Sequence, residues 1–236
     1  MRRPRLWGGA LALLHLPRRL GGIDLLIIAG LVGLLFGLVA LAREWAAQPE
    51  QVVVHRSPLW LPLYTFYSLA RGVIAYGLSL LFSLTYGYWA AKDRTAQRVL
   101  IPLLDILQSI PVLGFMPGLL LFFVALFPRH NVGLELAAIV AIFTGQAWNM
   151  TFSFYQSVRA VPADMQEAAT VYRFGWWDRF RRVELPYAGM GLVWNSMMSM
   201  AGGWFFLATI EGLEIGGKPQ WTPGIGSFIH KASSGP

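Results

Sequence analysis

The sequence contains no cysteine and little charge. Among its 236 residues there is no Cys, and Asp, Glu, Lys and Arg together make up only 13%. The missing cysteine excludes disulfide bonds, thiolate catalysis and Cys-ligated zinc. A soluble domain carries about twice this proportion of charged residues, whereas 56% of this chain is hydrophobic. The composition therefore predicts a polytopic membrane protein rather than a globular enzyme.

Motifs of catalysis are also missing from the sequence. It holds no HExxH, no GxSxG and no Gly-rich phosphate loop ending in Lys-Ser/Thr. The four histidines fall in four different segments, so we predict no metal site. We expect the chain neither to hydrolyse ATP nor to cut a substrate, to bind no cofactor of its own, and to have no nucleic-acid partner.

Long apolar runs predict an all-α bundle of about five transmembrane helices. Residues 23–42 would span about 30 Å as a helix, the thickness of the hydrocarbon core. Further runs cover residues 63–91, 112–127, 134–157 and 187–210. We divide the chain into a basic N-terminal segment (1–22), a first span with its outer loop (23–62), a core domain (63–210) and an outer C-terminal segment (211–236). The N-terminal segment is not read as a signal peptide, because its apolar run is short and Pro-Arg-Arg follows it.

Several polar residues lie within or beside these runs. An intramembrane arginine is costly, so Arg71 is expected to snorkel or to pair inside the protein, with a substrate contact as the alternative. Buried amides usually bond to a neighbouring helix. The prolines of residues 101–127 predict a break between Pro111 and Pro117 at the entry to the bilayer. Candidate residues of a translocation path are Arg71, Gln108, Ser109, Pro111, Gln146, Asn149, Asn195 and Ser199.

A polar, arginine-rich loop at residues 161–186 interrupts the apolar runs. Met165, Ala168, Ala169 and Tyr172 follow the i, i+3, i+4, i+7 spacing of one helix face. Pro162 suits the first turn of such a helix. A short helix between two spans has no core of its own in which to bury this face. We therefore expect it to dock on something outside the bilayer.

The positive charges give the chain an orientation. Thirteen of the 19 lysines and arginines lie on the side that holds residues 1–22 and 161–186, and five lie on the other side, with Arg71 inside a span. Because basic loops stay in the cytoplasm, the N-terminus and the 161–186 loop are predicted to be cytoplasmic.

The same loop resembles a known family. Glu167-Ala168-Ala169, followed after a gap by Val183-Glu184-Leu185-Pro186, is similar to the EAA loop of binding-protein-dependent ABC importer permeases. The glycine of that motif falls on Arg173, and Gly175 comes two residues later. Residues 68–77 and 104–111 are similar to the opening of the permease domain, and look most like the branch that imports nitrate, sulfonate, taurine or bicarbonate.

This resemblance implies a type I importer half-channel in a bacterial inner membrane. Its implied partners are a cytoplasmic ABC ATPase that holds the ATP, a second permease domain, a periplasmic or lipid-anchored substrate-binding protein, and membrane lipids. A small anion is the hypothetical substrate. The residues implied in coupling to the ATPase are Met165, Glu167, Ala168, Ala169, Tyr172, Arg173, Gly175, Leu185 and Pro186.

The chain also departs from the family, whose domain normally has one more span after residues 211–228. We expect a truncated domain or the front part of a longer permease. Two other functions stay open: a channel or carrier that needs no ATPase, and a membrane scaffold that transports nothing. A carrier would need intramembrane acids or bases to couple an ion, and a scaffold would not need the proline-divided segment.

Overall fold

The computed structural model of the protein describes residues 53–127, 131–215 and 218–234. The predicted N-terminal segment and first span lie outside the described residues. The described chain is mainly helical. Its helices are α1 (Leu61–Lys92), α2 (Arg94–Ser109), α3 (Val112–Leu126), α4 (Val132–Arg159), α5 (Ala163–Val171), α6 (Trp176–Arg179), α7 (Leu185–Glu211) and α8 (Ile225–Ser233). A 3₁₀ turn at Pro58–Trp60 precedes α1, and a π-helical turn at Phe180–Glu184 joins α6 to α7.

Helices α1 and α4 pack closely because most buried residues of α1 are small. At Gly87, a Cβ would lie 3.1 Å from Cδ1 of Phe154 and 3.2 Å from the Thr151 carbonyl oxygen. The Ser83 and Thr151 hydroxyls lie 3.0 Å apart across the same interface. Small residues and short hydroxyls allow the close helix contacts found in membranes. Beside the buried Tyr64 and Arg71, the small buried residues of α1 are Ser68, Gly72, Ala75, Ser79, Ser83, Gly87 and Ala90.

Helix α7 covers another side of α4, which therefore stands at the centre of the bundle and contacts α1, α3 and α7. Gly203 of α7 leaves no room for a Cβ, which would overlap the Gln146 amide, and Gly145 of α4 faces the Phe206 ring in the same way. These glycines allow the backbones of α4 and α7 to lie close together.

The proline-rich segment forms two helices, α2 and α3, that meet at an angle of 91°. The break falls at Ile110-Pro111, at the start of the predicted interval, whereas Pro117 lies inside α3. Met116, Leu120 and Val124 of α3 pack with the buried Leu and Ala residues of α4. With 15 residues, α3 is about 22 Å long, so it is shorter than the hydrocarbon core.

The number of spans stays a prediction. Of the described helices, those at Pro58–Lys92 and Val132–Arg159 are long and apolar enough to cross a membrane, and the bent pair α2–α3 would make a third. The predicted fifth span coincides with α7, whose 27 residues would extend about 40 Å. Glycine, serine and asparagine residues lower the mean hydropathy of α7. By composition it is therefore not counted among the helices that are apolar enough to cross a membrane.

The segment after α7 folds back on the bundle. Glu214–Ile215 and Lys218–Pro219 form a two-residue antiparallel pair, which the all-α prediction did not include. Helix α8 then packs against α7 and α1. Gly226, near the start of α8, touches the Ala208 backbone so closely that no side chain would fit.

Candidate functional site

The predicted helix of the 161–186 loop is present as α5, a nine-residue helix. Pro162 precedes its first residue as the N-cap, and its carbonyl accepts a hydrogen bond from the Gln166 amide at 3.2 Å. Asp164 lies in the first turn, where the helix dipole favours a negative charge.

One residue of the predicted apolar face of α5 is buried in the protein, and the other three are exposed. Only Ala169 is buried, at 2% exposure, in a small cluster with Val161, Val183 and Phe174. Met165 and Tyr172 are 39% and 73% exposed, and Ala168 and Glu167 are exposed as well. Ala169 therefore serves the internal packing of the loop and offers no surface to a partner. Val171, at 80% exposure, belongs to the free surface although sequence reasoning passed over it.

Arg173 ends α5 in a left-handed conformation with φ of 50°. The Arg173 amide bonds to the Thr170 carbonyl at 3.0 Å, and the Phe174 amide bonds to the Ala169 carbonyl at 2.9 Å. These two bonds, with Phe174 packing near Ala169, form a Schellman C-cap, in which glycine is usual at the left-handed position. The turn therefore keeps a shape that suits glycine although arginine stands there. Gly175, by contrast, has φ of −64° and space around it.

The second half of the loop continues into α7 without a break. Helix α6, the π-helical turn and α7 form one uninterrupted run from Trp176 to Glu211. Leu185 packs on the cluster around Met150 and Phe154, and Pro186 follows the π-helical turn as the second residue of α7.

A buried glutamate ties this loop to the end of α1. Glu184, at 2% exposure, pairs with Lys92, the last residue of α1, and with Arg179, whose Nε lies 3.3 Å from Glu184 Oε1. The ring of Tyr88 lies 5.1 Å from that of Phe180, centre to centre. Sequence reasoning treated Glu184 only as a spacer in the motif. No feature of the sequence set Glu184 apart from the other acidic residues of the loop, Asp164, Glu167 and Asp178.

Gln166 connects α5 with both ends of the loop. Its amide nitrogen donates to the Val161 carbonyl at 2.9 Å, and its amide oxygen accepts from Arg179 Nη2 at 3.1 Å. Through these bonds, α5 is joined to the start of the loop and to α6.

Arg71 lies at the opposite end of the bundle, buried between two glutamates. Its guanidinium pairs with Glu135 through both Nε and Nη2, with Nη2–Oε1 at 2.6 Å, and its Nη1 donates to Glu211 Oε1 at 2.7 Å. It also donates to the Pro223 carbonyl at 2.9 Å. Glu211 is fully buried and was not singled out in the sequence, where it marked only the end of an apolar run.

Glu211 also organises the start of α8. It accepts hydrogen bonds from the Ser68 hydroxyl at 2.7 Å and from the Gly226 amide at 2.8 Å, and Ser68 accepts from the Ile225 amide at 2.9 Å. We name Ser68, Arg71, Glu135 and Glu211 the arginine cluster. It joins α1, α4, α7 and α8 with every guanidinium nitrogen engaged.

The other candidate path residues do not gather in one place. Gln146 is buried between α1, α4 and α7, with its Oε1 3.5 Å from Ser79 Oγ, and Ser199 donates to its backbone carbonyl at 3.3 Å. Asn149 is exposed, and Asn195 bonds to the Gly191 carbonyl one turn earlier. The remaining three, at the α2–α3 bend, are exposed: Gln108, Ser109 and Pro111.

The contacts given above connect helices to one another. Within residues 53–127, 131–215 and 218–234, no three acidic or histidine side chains are grouped as metal ligands would be. The arrangement instead joins an exposed helix, through buried ties, to the ends of long apolar helices.

Comparisons with known proteins cover the part of the chain that holds these contacts. The chain is 22% identical over 175 residues to the glycine betaine transport system permease protein OpuAB of Bacillus subtilis (strain 168). The match covers 73% of this chain and 55% of that relative, so the chain spans little more than half of its length. Residues 83–234, which include the whole 161–186 loop, match the model of the binding-protein-dependent transport system inner membrane component. The chain therefore belongs to this family of ABC importer permeases, which are transport components and not enzymes.

Proposed function

We propose that the chain forms the membrane passage of an ATP-driven solute importer and receives work from a cytoplasmic ATPase through α5. One observation carries this proposal: α5 is exposed on its outer surface and is joined on its inner one to the rest of the loop, through Ala169 and Gln166. A helix that only rested on lipid would need no such connections. Family membership supports the proposal, since the matched residues contain the whole loop.

The contacts of α5 give its displacement a route into the bundle. Ala169 packs on Val183 of the π-helical turn, and that turn leads without interruption into α7. Glu184 in the same turn holds Lys92 of α1. A partner that pushes α5 would therefore move α7 and the end of α1 together. Such a motion would open the bundle to one side of the membrane at a time.

The exposed surface of α5 fits a groove with apolar and basic groups. Val171 and Tyr172 supply apolar area at its C-terminal end, and Glu167 adds a free carboxylate in the middle. Ala168 is small, so a partner can approach the helix backbone closely. The proposed docking residues are thus Met165, Glu167, Ala168, Val171 and Tyr172.

The remaining partners follow from this role. A second permease domain would complete the passage, and a periplasmic or lipid-anchored substrate-binding protein would deliver the solute. ATP would be bound and hydrolysed by the ATPase subunit alone. The bacterial inner membrane, with the loop and the N-terminus in the cytoplasm, is the location that the charge distribution supports.

Two substrate classes are candidates. The sequence resemblance favours a small anion such as nitrate, sulfonate, taurine or bicarbonate, whereas the relative named above is a glycine betaine permease. Arg71, which the anion hypothesis used, already holds two carboxylates. An anion would have to displace one of them, so the arginine cluster favours a solute that is not a simple anion. Uptake of labelled glycine betaine and of labelled taurine by cells that carry the complete transporter would separate the classes.

The coupling role is tested by co-purification. The full chain is expressed in bacterial membranes with candidate ATPase subunits, as wild type and as Glu167→Arg. We expect the variant to lose the ATPase while its thermal unfolding stays unchanged, because Glu167 is exposed and makes no internal contact.

The matched control is Asp178→Arg, which makes the same charge reversal in α6. Asp178 forms only an exposed pair with Arg182, so this variant should keep the ATPase. Retention of the ATPase by Glu167→Arg would contradict the proposal and favour a carrier or a scaffold.

A further inference from the structure

A basic pocket lies beside the loop end of the bundle and takes no part in the coupling described above. Arginines from two helices surround it: Arg94 and Arg98, one turn apart on α2, and Arg159 at the end of α4. Gln97, Ile101 and Pro102 complete its lining, and its volume is about 480 Å³.

The three arginines have no acidic partner in the part of the chain that the structure describes. Each ion pair found there involves other residues. Arg159 is oriented by neutral groups, namely the Gln97 amide oxygen and the Tyr155 ring, whose centre lies 5.8 Å from the guanidinium carbon. Three guanidinium groups around one open pocket, without a carboxylate, create a site for an anion with several oxygens.

The position of α2 indicates where that anion comes from. Helix α3 packs along α4, which is long and apolar enough to span, and α2 turns away from α3 by 91°. Helix α2 therefore runs close to the plane of the membrane surface. Val99, Leu103 and Ile106, spaced at i, i+4 and i+7, are 63%, 43% and 63% exposed on one side of it.

An in-plane helix of this kind buries its apolar side at the boundary of the acyl chains and keeps its basic side among the headgroups. We propose that Arg94, Arg98 and Arg159 bind the phosphate of an anionic phospholipid headgroup. Ile101 and Pro102, the apolar residues of the lining, would contact the start of the acyl chains of that lipid. A bound lipid would fix α2 against the end of α4, next to the start of the 161–186 loop.

The test uses the purified full chain in neutral detergent and counts bound lipids by native mass spectrometry. Phosphatidylglycerol and phosphatidylcholine are added in equal amounts. We expect wild type to retain phosphatidylglycerol, and Arg94→Gln and Arg98→Gln each to weaken retention about fivefold, the effect of one basic residue at an anionic surface. Both arginines are exposed, so their replacement leaves the fold intact.

The matched control is Arg181→Gln, which removes an exposed arginine of the loop outside the pocket. It should retain phosphatidylglycerol as wild type does. Equal retention of the two lipids by wild type, or an equal loss in Arg181→Gln, would overturn the site, since either result reflects general charge.

A second arm separates a lipid headgroup from free phosphate. Inorganic phosphate in large molar excess should leave most of the phosphatidylglycerol bound, because the lipid also gains apolar contacts. Complete displacement by inorganic phosphate would assign the pocket to a soluble anion and overturn the lipid proposal.

Discussion

Two glutamates are buried at opposite ends of the bundle, and their surroundings differ. Glu211 lies in the arginine cluster with Arg71, and the side chains of the two are 0% and 5% exposed. Glu184 pairs with Lys92 and Arg179, whose side chains are 38% and 32% exposed. Water reaches the cations at the loop end and is excluded from the cation at the other end.

This difference in exposure predicts that the two sets of ion pairs differ in the free energy that their loss would cost. Breaking a fully buried ion pair leaves an uncompensated charge, at a high cost. A pair with exposed cations is screened by water, and its loss costs less. We therefore expect the arginine cluster to hold the ends of α1, α4 and α7 together, and the Glu184 ion pairs to break at a lower cost in free energy. The proposed coupling through the 161–186 loop would require this difference.

Arg71→Leu is expected to have the largest effect on stability and tests the buried arginine cluster directly. The change leaves Glu211 buried without its cation and Glu135 without its partner, so we expect a loss of about 3–5 kcal/mol in the free energy of unfolding. Denaturant-induced unfolding of the full chain in neutral detergent, followed by tryptophan fluorescence, measures it.

Arg181→Leu, which removes an exposed arginine outside both ion-pair clusters, is the control and should change the unfolding free energy little. The double variant Arg71→Leu/Glu211→Leu should recover part of the loss, because no buried glutamate at position 211 is left without its cation. If Arg71→Leu alone were as stable as wild type, the arginine cluster would not hold the helix ends together.

Lys92→Met tests the weaker tie. Glu184 keeps Arg179 and loses a half-exposed cation, so we expect a loss of only about 1 kcal/mol in the same measurement. Arg181→Met, which removes an exposed arginine without an ion pair among the described residues, is the matched control. If Lys92→Met destabilised the chain as much as Arg71→Leu, the two ends would not differ and the loop would not be free to yield.

The smallest expected effect has the opposite sign. Arg173 holds a left-handed backbone that costs an ordinary residue about 1 kcal/mol, so Arg173→Gly should stabilise the cap of α5 by up to about that amount. Protease cleavage within the loop, followed over time, would be slower in this variant. Gly175→Ala is the control, since Gly175 has a negative φ and open space. Faster cleavage of Arg173→Gly would mean that the arginine side chain itself holds the turn.

Much of the molecule was predictable where local chemistry decides structure. The break at Pro111 follows from the restricted backbone around proline, and α5 from the period of its apolar residues and its N-terminal proline. Family membership followed from the spacing of Glu167-Ala168-Ala169 and Leu185-Pro186, and the match to residues 83–234 confirms it. The nitrate and sulfonate branch stays a prediction.

Other features depended on partners far apart in the chain. The sequence placed Arg71 in a span but could not name Glu135 and Glu211 as its partners, which lie 64 and 140 residues away. Likewise, the helical spacing placed both Ala168 and Ala169 on one apolar face and did not show which of them is buried. Only the approach of Val161 and Val183 buries one and leaves the other free.

The sequence by itself determined the membrane character of this protein, its family and the place of its polar loop, because hydropathy, charge and motif spacing are properties of neighbouring residues. The tertiary structure alone decided which charges are neutralised and which side of α5 is available. Those outcomes depend on how closely the small-residue faces of α1, α4 and α7 approach, and that approach brings distant carboxylates and arginines within hydrogen-bonding distance.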